Sequence, residues 1–564
     1  MKRREFLKTA AVPILLGSGI NVKHGFCEGK SLALDNEYPF PYDDAHFEAG
    51  ERVVYTSPLR LHLNILPKEG KKLDIKISFS GGNPFDSTTT NGTRTFYGVE
   101  DNLDLCFVPD PSVSLFKYRL EYKEIQNTRW LSTPERRVKS MLSFNDEKEF
   151  NAILIGDDHT PDDADSDTSI LEDQKLRELR LNGDYVGMFM KKLLADPQYF
   201  PDPSGEEWKL LNGFTLASTL LQIHNIEKPD LIIHLGDHRG GFGHKWPGLG
   251  LKNQHNVTDD ELAEYMKIFR IGTRKIFSIL SPEIPIYWAL GNHDGEAGYH
   301  HFLNWATFYR KKYFKLPGFG TGNSPEENYY SLIWGCPDTT AQEGREGTGI
   351  KLVFCDSERY NLSLPRKPKD WTLGETQRRW LEKILDNPTA YTFIFFHHVL
   401  GGWPAGTHES ITDTAYGRGP LFTSLDYKGL VSNPESIEQV GLTRLFKNKN
   451  VDAVIYGHDH IFNVHAIGNI GNGKTLYGIC SGSPKYNGEI QWYKGDLWKS
   501  FYGEYGDYGG NSSEADFWGP AGYTRLTIGK NGARVDYVRS AHNHPKTNIP
   551  YDLQPGDIIA SFIL

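Results

Sequence analysis

NAILIGDDH, residues 151–159, decides the reading of this chain: an apolar run closes on Gly156 and then on Asp157, Asp158 and His159. The same form recurs four times. DLIIHLGD (230–237) ends in Asp237, IYWALGNHD (286–294) in Asn292, His293 and Asp294, TFIFFHH (392–398) in His397 and His398, and VDAVIYGHDH (451–460) in His458, Asp459 and His460. Uninterrupted apolar runs of this length suit strands buried on both faces. In an open α/β sheet, ligands bind outside the carboxyl ends of the strands. Five such strands lying side by side would carry all these polar groups into one crevice. Glycine precedes the polar group in four of the five runs, which reads as room for a sharp backbone turn. A lone GD or GHxH carries little information; five runs of one form are specific.

Seven residues of these runs are the candidate metal ligands: Asp157, His159, Asp237, Asn292, His397, His458 and His460. Imidazole suits zinc, iron and similar ions, while carboxylate and amide oxygens suit harder ions such as manganese. Seven ligands exceed what one tetrahedral ion takes, and two ions sharing a carboxylate use them naturally. Two ions ~3.5–4 Å apart can clamp the attacking and leaving oxygens of an in-line displacement at phosphorus.

Outward from these runs, the chain divides. Residues 34–147 read as a small β-sandwich: RLHLNIL, KLDIKISFS, TRTFYGV, LDLCFV and SLFKYRLEY are short β-rich segments separated by Gly, Pro, Asn and Asp. Residues 148–564 alternate apolar runs with helical stretches such as ELAEYMKIFRIGTRKIFSIL and ETQRRWLEKIL, the pattern of an α/β domain. Within it, about 165–212 reads as a helical insertion. About 486–522, rich in Trp, Tyr and Gly, reads as a long aromatic loop before a last pair of strands, YTRLTIG and ARVDYVR.

The ordered set GDDH…GD…GNHD…HH…GHDH resembles the calcineurin-like metallophosphoesterases. NYYSLIW followed by KLVFCDSE resembles that family's central hairpin, and TQRRWLEKIL its following helix. The resemblance covers roughly 150–540. It implies a four-layer α/β fold, two mixed β-sheets flanked by helices, here preceded by the small β-sandwich. It further implies two divalent or trivalent metal ions (Mn, Fe or Zn). One would take Asp157, His159, Asp237 and His460, the other Asp237, Asn292, His397 and His458. His293 would stand beside the substrate phosphate and Asp294 would orient it. The implied reaction is hydrolysis of a phosphomonoester or phosphodiester by a hydroxide bridging the two ions. Related phosphatases use a His in the loop that here contains His408, so His408 is a catalytic candidate against a solvated loop histidine. Arg418 is a phosphate contact or a surface arginine on equal terms. His238 and Arg239 border the crevice undecided, His234 reads as a satisfied core residue, and His300 and His301 as helix-face histidines. The β module followed by this domain resembles the purple acid phosphatases. Their Tyr three residues after the bridging Asp is Gly240 here, which marks a divergent branch.

The net charge of −10 disfavours a grip on nucleic acid through its phosphates, and with it a nuclease. A small phosphorylated substrate stays compatible, since metal ions supply local positive charge. MKRREFLKTAAVPILLGSGI resembles a twin-arginine export signal, with Arg3, Arg4 and FLK in place. Residues 1–33 are read as that signal, giving a periplasmic or extracellular protein. The apolar run from Ala10 to Ile20 is too short to span a bilayer, so no stable membrane anchor is expected. Residues 1–33 carry six basic and two acidic groups, so the remainder is more acidic still. Cys355 and Cys480 sit in apolar runs as small core residues, and no CxxC suggests a structural zinc or redox site. The acidic run DDADSDTS lacks the glycine of a calcium loop and reads as solvated. No protein partner is evident. The competing class is a non-catalytic exported binding protein retaining the fold, which the complete ligand set argues against.

Overall fold

A computed structural model describes residues 41–57, 59–86, 91–141, 149–158, 183–202, 205, 207, 210–238, 258–291, 294, 303–317, 328–335, 349–357, 373–398, 434–458, 462–469, 475–484, 521–529, 532–540 and 555–564. The leader at 1–33, the run DDADSDTS, Cys27 and Cys336 lie outside them. So does nearly all of the aromatic loop.

Between Arg52 and Lys139 the chain forms a four-stranded and a five-stranded antiparallel sheet. Every second residue points inward, as a strand's period of two requires. Leu61, Leu63 and Ile65 from one sheet face Ile75, Ile77, Phe79, Tyr118, Leu120 and Tyr122 from the other, all buried.

The α/β part opens with β1 (Phe150–Ile155). It continues through β2 (Leu231–His234), β3 (Ile286–Trp288), β4 (Tyr330–Trp334), β5 (Ile350–Phe354), β6 (Tyr391–Phe395) and β7 (Ala453–Tyr456). It closes with β8 (Asn463–Asn469), β9 (Thr475–Cys480), β10 (Gly522–Gly529), β11 (Gly532–Arg539) and β12 (Ile558–Ile563). The five apolar runs do not share one sheet, contrary to the side-by-side expectation. β1, β2 and β3 are parallel neighbours in a six-stranded sheet ordered β3-β2-β1-β10-β11-β12. β6 and β7 are parallel neighbours in a second, ordered β4-β5-β6-β7-β9-β8. The polar strand ends therefore meet across two sheets. The expected hairpin is present as the antiparallel pair β4–β5. The last strand is β12, antiparallel to β11, so YTRLTIG and ARVDYVR are not the final pair.

Alternation along the second sheet explains the layering. Leu352, Phe354, Phe393, Phe395, Ala453 and Ile455 join the main core with the first sheet. The intervening Val353, Ile394, Val454 and Tyr456 pack with Leu381 and Leu385 and with Leu442 and Phe446. These last two pairs come from helices Gly374–Leu385 and Pro434–Asn448. Across the sheet interface, the Tyr330 hydroxyl donates to the Trp288 carbonyl (2.8 Å) and accepts from the Trp288 amide (3.0 Å). Ser481 Oγ donates to the Leu154 carbonyl (3.4 Å). Two further helices, α1 (Asp184–Ala195) and α2 (Leu211–Gln222), connect β1 to β2. Tyr185, Phe189, Phe214 and Leu220 bury them in the same core as the strands, so this stretch is a crossover within the fold.

The β module is bonded to the α/β part through α3 (Asp259–Ile276). A capping box starts α3: Thr258 Oγ1 accepts the Glu261 amide (3.2 Å) and Glu261 Oε2 accepts the Thr258 amide (2.9 Å). In its last turn, buried Arg274 donates to the Asn64 side chain, the Gly50 carbonyl (3.1 Å) and the Asn64 carbonyl (3.3 Å). Arg52 reciprocates, donating to the carbonyls of Lys315 (2.9 Å) and Ile286 (3.0 Å). Burial pushes the Arg274 guanidinium down to about 9, and its carbonyl acceptors are what keep it in place. Arg274→Met strands these acceptors. It is expected to cost on the order of 3 kcal/mol, the scale of a charged hydrogen-bond donor lost from a buried site, read as a lower urea midpoint.

Candidate metal centre

Asp157, Asp237, His397 and His458 follow β1, β2, β6 and β7 directly, and the structure brings all four together. One ligand atom from each of Asp157, Asp237 and His397 lies within 4.8 Å of the others. His397 Nε2 is 3.1 Å from Asp237 Oδ2, 4.0 Å from Asp157 Oδ1 and 3.0 Å from His458 Nδ1. Asp157, Asp237 and His397 are at most 1% exposed.

The tautomer of His397 follows from its other nitrogen. Nδ1 is 2.7 Å from the Leu235 carbonyl, which can only accept, so Nδ1 carries the proton. In the neutral ring Nε2 then holds a lone pair aimed at a carboxylate oxygen and a second imidazole. Acceptors converging on one buried point are resolved by a shared cation, and a carbonyl on the far nitrogen is the usual orientation device for a metal-binding histidine. The donor set thus fits a metal ion.

The backbone supports the same reading. Asp157 (φ 47°), Asp237 (φ 51°) and His458 (φ 73°) are three of the five non-glycine residues with positive φ among the described residues. Such conformations cost about 1–3 kcal/mol each and persist where surrounding contacts impose them. Those contacts are visible. The Asp157 amide donates to the Gly236 carbonyl (3.2 Å) and the His458 amide to Asp157 Oδ2 (2.7 Å). Ser483 Oγ donates to the Asp157 carbonyl (2.6 Å). The preceding glycines act differently from the expected sharp turn, because only Gly236 has positive φ; Gly156, Gly291 and Gly457 do not. Gly291 and Gly457 are needed for space. A Cβ on Gly291 would lie 2.3 Å from Asp237 Oδ1, and one on Gly457 would lie 2.4 Å from Asp157 Oδ2.

Asp294 is 2% exposed and braces this corner. Its Oδ2 accepts from the Gly291 amide (2.8 Å) and the Asp237 amide (3.2 Å), and its own carbonyl accepts from Arg270 (2.9 Å). Burial, and then the charge of Asp237, push its carboxyl above the usual range. His293, which it was expected to orient, lies outside the described residues. So do His159, Asn292, His460, His408, Arg418, Arg239, Gly240, His300 and His301.

Behind the ligands, Asp158, His234 and His238 form a second buried cluster. Asp158 Oδ2 is 2.7 Å from His238 Nδ1 and 3.2 Å from His234 Nε2. Burial opposes ionisation of Asp158, but the two imidazoles outweigh it and bring its carboxyl down to about 2. His234 is the satisfied core residue its apolar run suggested. The partner, Asp158, was missed, although a histidine inside an apolar run signals that some buried acceptor must exist. His398 packs instead against the ligands: its Nδ1 meets Ser357 Oγ (2.9 Å) and its ring lies 4.5 Å from that of His458.

Residues 193–462 match the family model for calcineurin-like phosphoesterases; the stretch includes Asp237, Asn292, His397, His458 and His460 and begins after Asp157 and His159. Among solved structures, the chain is similar to the purple acid phosphatase PPD1 isolated from yellow lupin (Lupinus luteus) seeds. The TM-score is 0.49 with 12% sequence identity, over 91% of this chain and 73% of that one. No curated protein matches the chain.

Gly291→Ala drives a methyl group into Asp237. It is expected to lower metal affinity by about 10-fold or more, the scale on which disturbing a ligand's support acts, measured by metal titration of the chelated protein.

Proposed function

The α/β part of the chain belongs to the calcineurin-like phosphoesterase family, and from that premise we propose that it hydrolyses a small phosphorylated substrate at a centre of two metal ions. The observation that carries this is the convergence of Asp157, Asp237, His397 and His458 from four strand ends, three of them in strained backbone. His159, Asn292 and His460 stand within two residues of Asp157, Gly291 and His458 and would complete the set. Asp237 would be shared between the ions. When bound, the ions supply Lewis acidity, polarising the phosphoryl oxygens and lowering the pKa of water.

The chain's own groups have separate tasks in this reading. Asp157 and Asp237 would hold the ions and offset part of their charge. His397, held on the Leu235 carbonyl, keeps its lone pair on target. His293 would donate a hydrogen bond to the phosphoryl group or protonate the leaving oxygen. Asp294, the next residue in sequence, accepts from the Gly291 and Asp237 amides and would orient His293. His408 is a further candidate for the leaving group. Water's oxygen joins phosphorus as the ester P–O bond breaks, giving a phosphate and an alcohol. A monoester or a diester satisfies this chemistry. The acidic balance disfavours nucleic acid.

The purified chain, chelated and then supplied with Mn, Zn or Fe, should hydrolyse a chromogenic phosphomonoester or the matching diester. His397→Ala should lower kcat by on the order of a hundredfold or more, since even losing a ligand's supporting partner costs 10–100-fold. No hydrolysis with any metal would sink the enzyme reading in favour of a binding protein of the same fold.

Export by the twin-arginine route, to the periplasm or beyond, completes the proposal. It rests on Arg3, Arg4 and the FLK that follows. No helix among the described residues is long and apolar enough to cross a membrane. Replacing Arg3 and Arg4 together with Lys should leave the chain inside the cell, read by fractionation.

A further inference from the structure

The cluster of Asp158, His234 and His238 has the composition of a third metal site, so its chemistry has to be decided first. His234 settles it. Its Nδ1 is 3.2 Å from the Gly236 amide, which donates, so Nδ1 holds a lone pair and the ring proton sits on Nε2. That proton faces Asp158 Oδ2 at 3.2 Å. A metal ion bound by Asp158 and His234 Nε2 would need the opposite tautomer and would break the Gly236 contact. The cluster is a hydrogen-bonded strut: one carboxylate oxygen accepts from two imidazoles.

The strut joins particular pieces of backbone. Asp158 follows Asp157, and His238 follows Asp237. His234 ends β2, and its ring stacks on Trp288 at the end of β3, with centroids 4.5 Å apart. His238 is wedged between Trp288 (5.5 Å) and Phe277 (5.1 Å). The Asp158–His238 bond of 2.7 Å is therefore a cross-link between two ligand loops, one residue beyond each ligand. Both ligands sit at positive φ. Without a tie, each loop could relax toward ordinary backbone and turn its carboxylate away, recovering the strain.

We propose that Asp158 and His238 are positioning residues, which hold Asp157 and Asp237 at the mutual placement that metal binding requires. This rests on the metal-centre reading above. It assigns the second Asp of GDDH and the His of GDH a task that the ligand pattern leaves empty.

The test uses the full chain, chelated, with Mn²⁺ as the probe and equilibrium dialysis as the readout. Asp158→Asn keeps the shape but turns an amide N–H₂ or a weaker oxygen toward the imidazoles. His238→Leu removes the donor. His238→Asn keeps a donor, because its Nδ2 falls where Nδ1 of the ring was. Asp158→Asn and His238→Leu are expected to weaken Mn²⁺ binding about 10–100-fold, while His238→Asn stays close to the wild type. A residue that only supports the fold would lower the melting temperature and spare the affinity, and that pattern overturns the proposal. Wild-type affinity in both disruptive variants overturns it too. So does a third bound equivalent that Asp158→Asn removes, since the cluster would then be a metal site. Should His238→Leu fail to fold, the contrast between Asp158→Asn and His238→Asn carries the same decision. A chain that shows the expected affinities yet hydrolyses neither ester would overturn the proposed function and leave the positioning role standing.

Discussion

Two carboxylates, Asp157 and Asp237, lie buried within one cluster and are held in left-handed backbone. Much of the surrounding structure answers to that constraint. Like charges removed from water repel strongly and are tolerated where a cation or several hydrogen-bond donors compensate. Here the compensation is local. The His458 amide donates to Asp157, the lone pair of His397 Nε2 faces Asp237 at the place a cation would take, and Gly291 and Gly457 leave the space a methyl group would fill. The same contacts hold the strained φ values in place. The centre is therefore assembled from mutually dependent loops, and its parts cannot be displaced one at a time.

Those loops reach one another because two sheets share a core. β1, β2 and β3 end on one side, β6 and β7 on the other, and the His397 ring crosses between them to the Leu235 carbonyl. Burial of β1 through β3 and of β6 and β7 makes these strands rigid platforms, from which short polar segments project. The outer face of the second sheet is closed by Leu381, Leu385, Leu442 and Phe446, and Asp157, Asp237 and His397 are themselves buried. Low dielectric strengthens every interaction there, favourable and unfavourable alike.

The β module adds a second kind of support. Arg274 and Arg52 form reciprocal ties, each guanidinium donating to carbonyls of the other part. Arg274 stands one turn beyond Arg270 on α3, and Arg270 holds the Asp294 carbonyl. One helix thereby touches both the β module and Asp294, which in turn holds the amides of Gly291 and Asp237. The module's position is mechanically continuous with the centre, although its own chemistry supplies none of the ligands.

Much of the fold was legible from order and periodicity. Apolar runs closing on Asp, Asn and His name their strands because burial on both faces demands unbroken apolar sequence. The period of two in RLHLNIL and KLDIKISFS names the β module in the same way. Those strings also nominated Asp157, Asp237, His397 and His458, since ligand type and place in the run are properties of the sequence. Tertiary structure alone decided how the runs are distributed between two sheets, because parallel neighbours far apart in the chain leave no local trace. It alone revealed that the ligands, and not the glycines before them, carry most of the backbone strain. It alone assigned Asp158: a carboxylate beside a ligand is mute in one dimension, and only folding set it 2.7 Å from His238 and gave it a task.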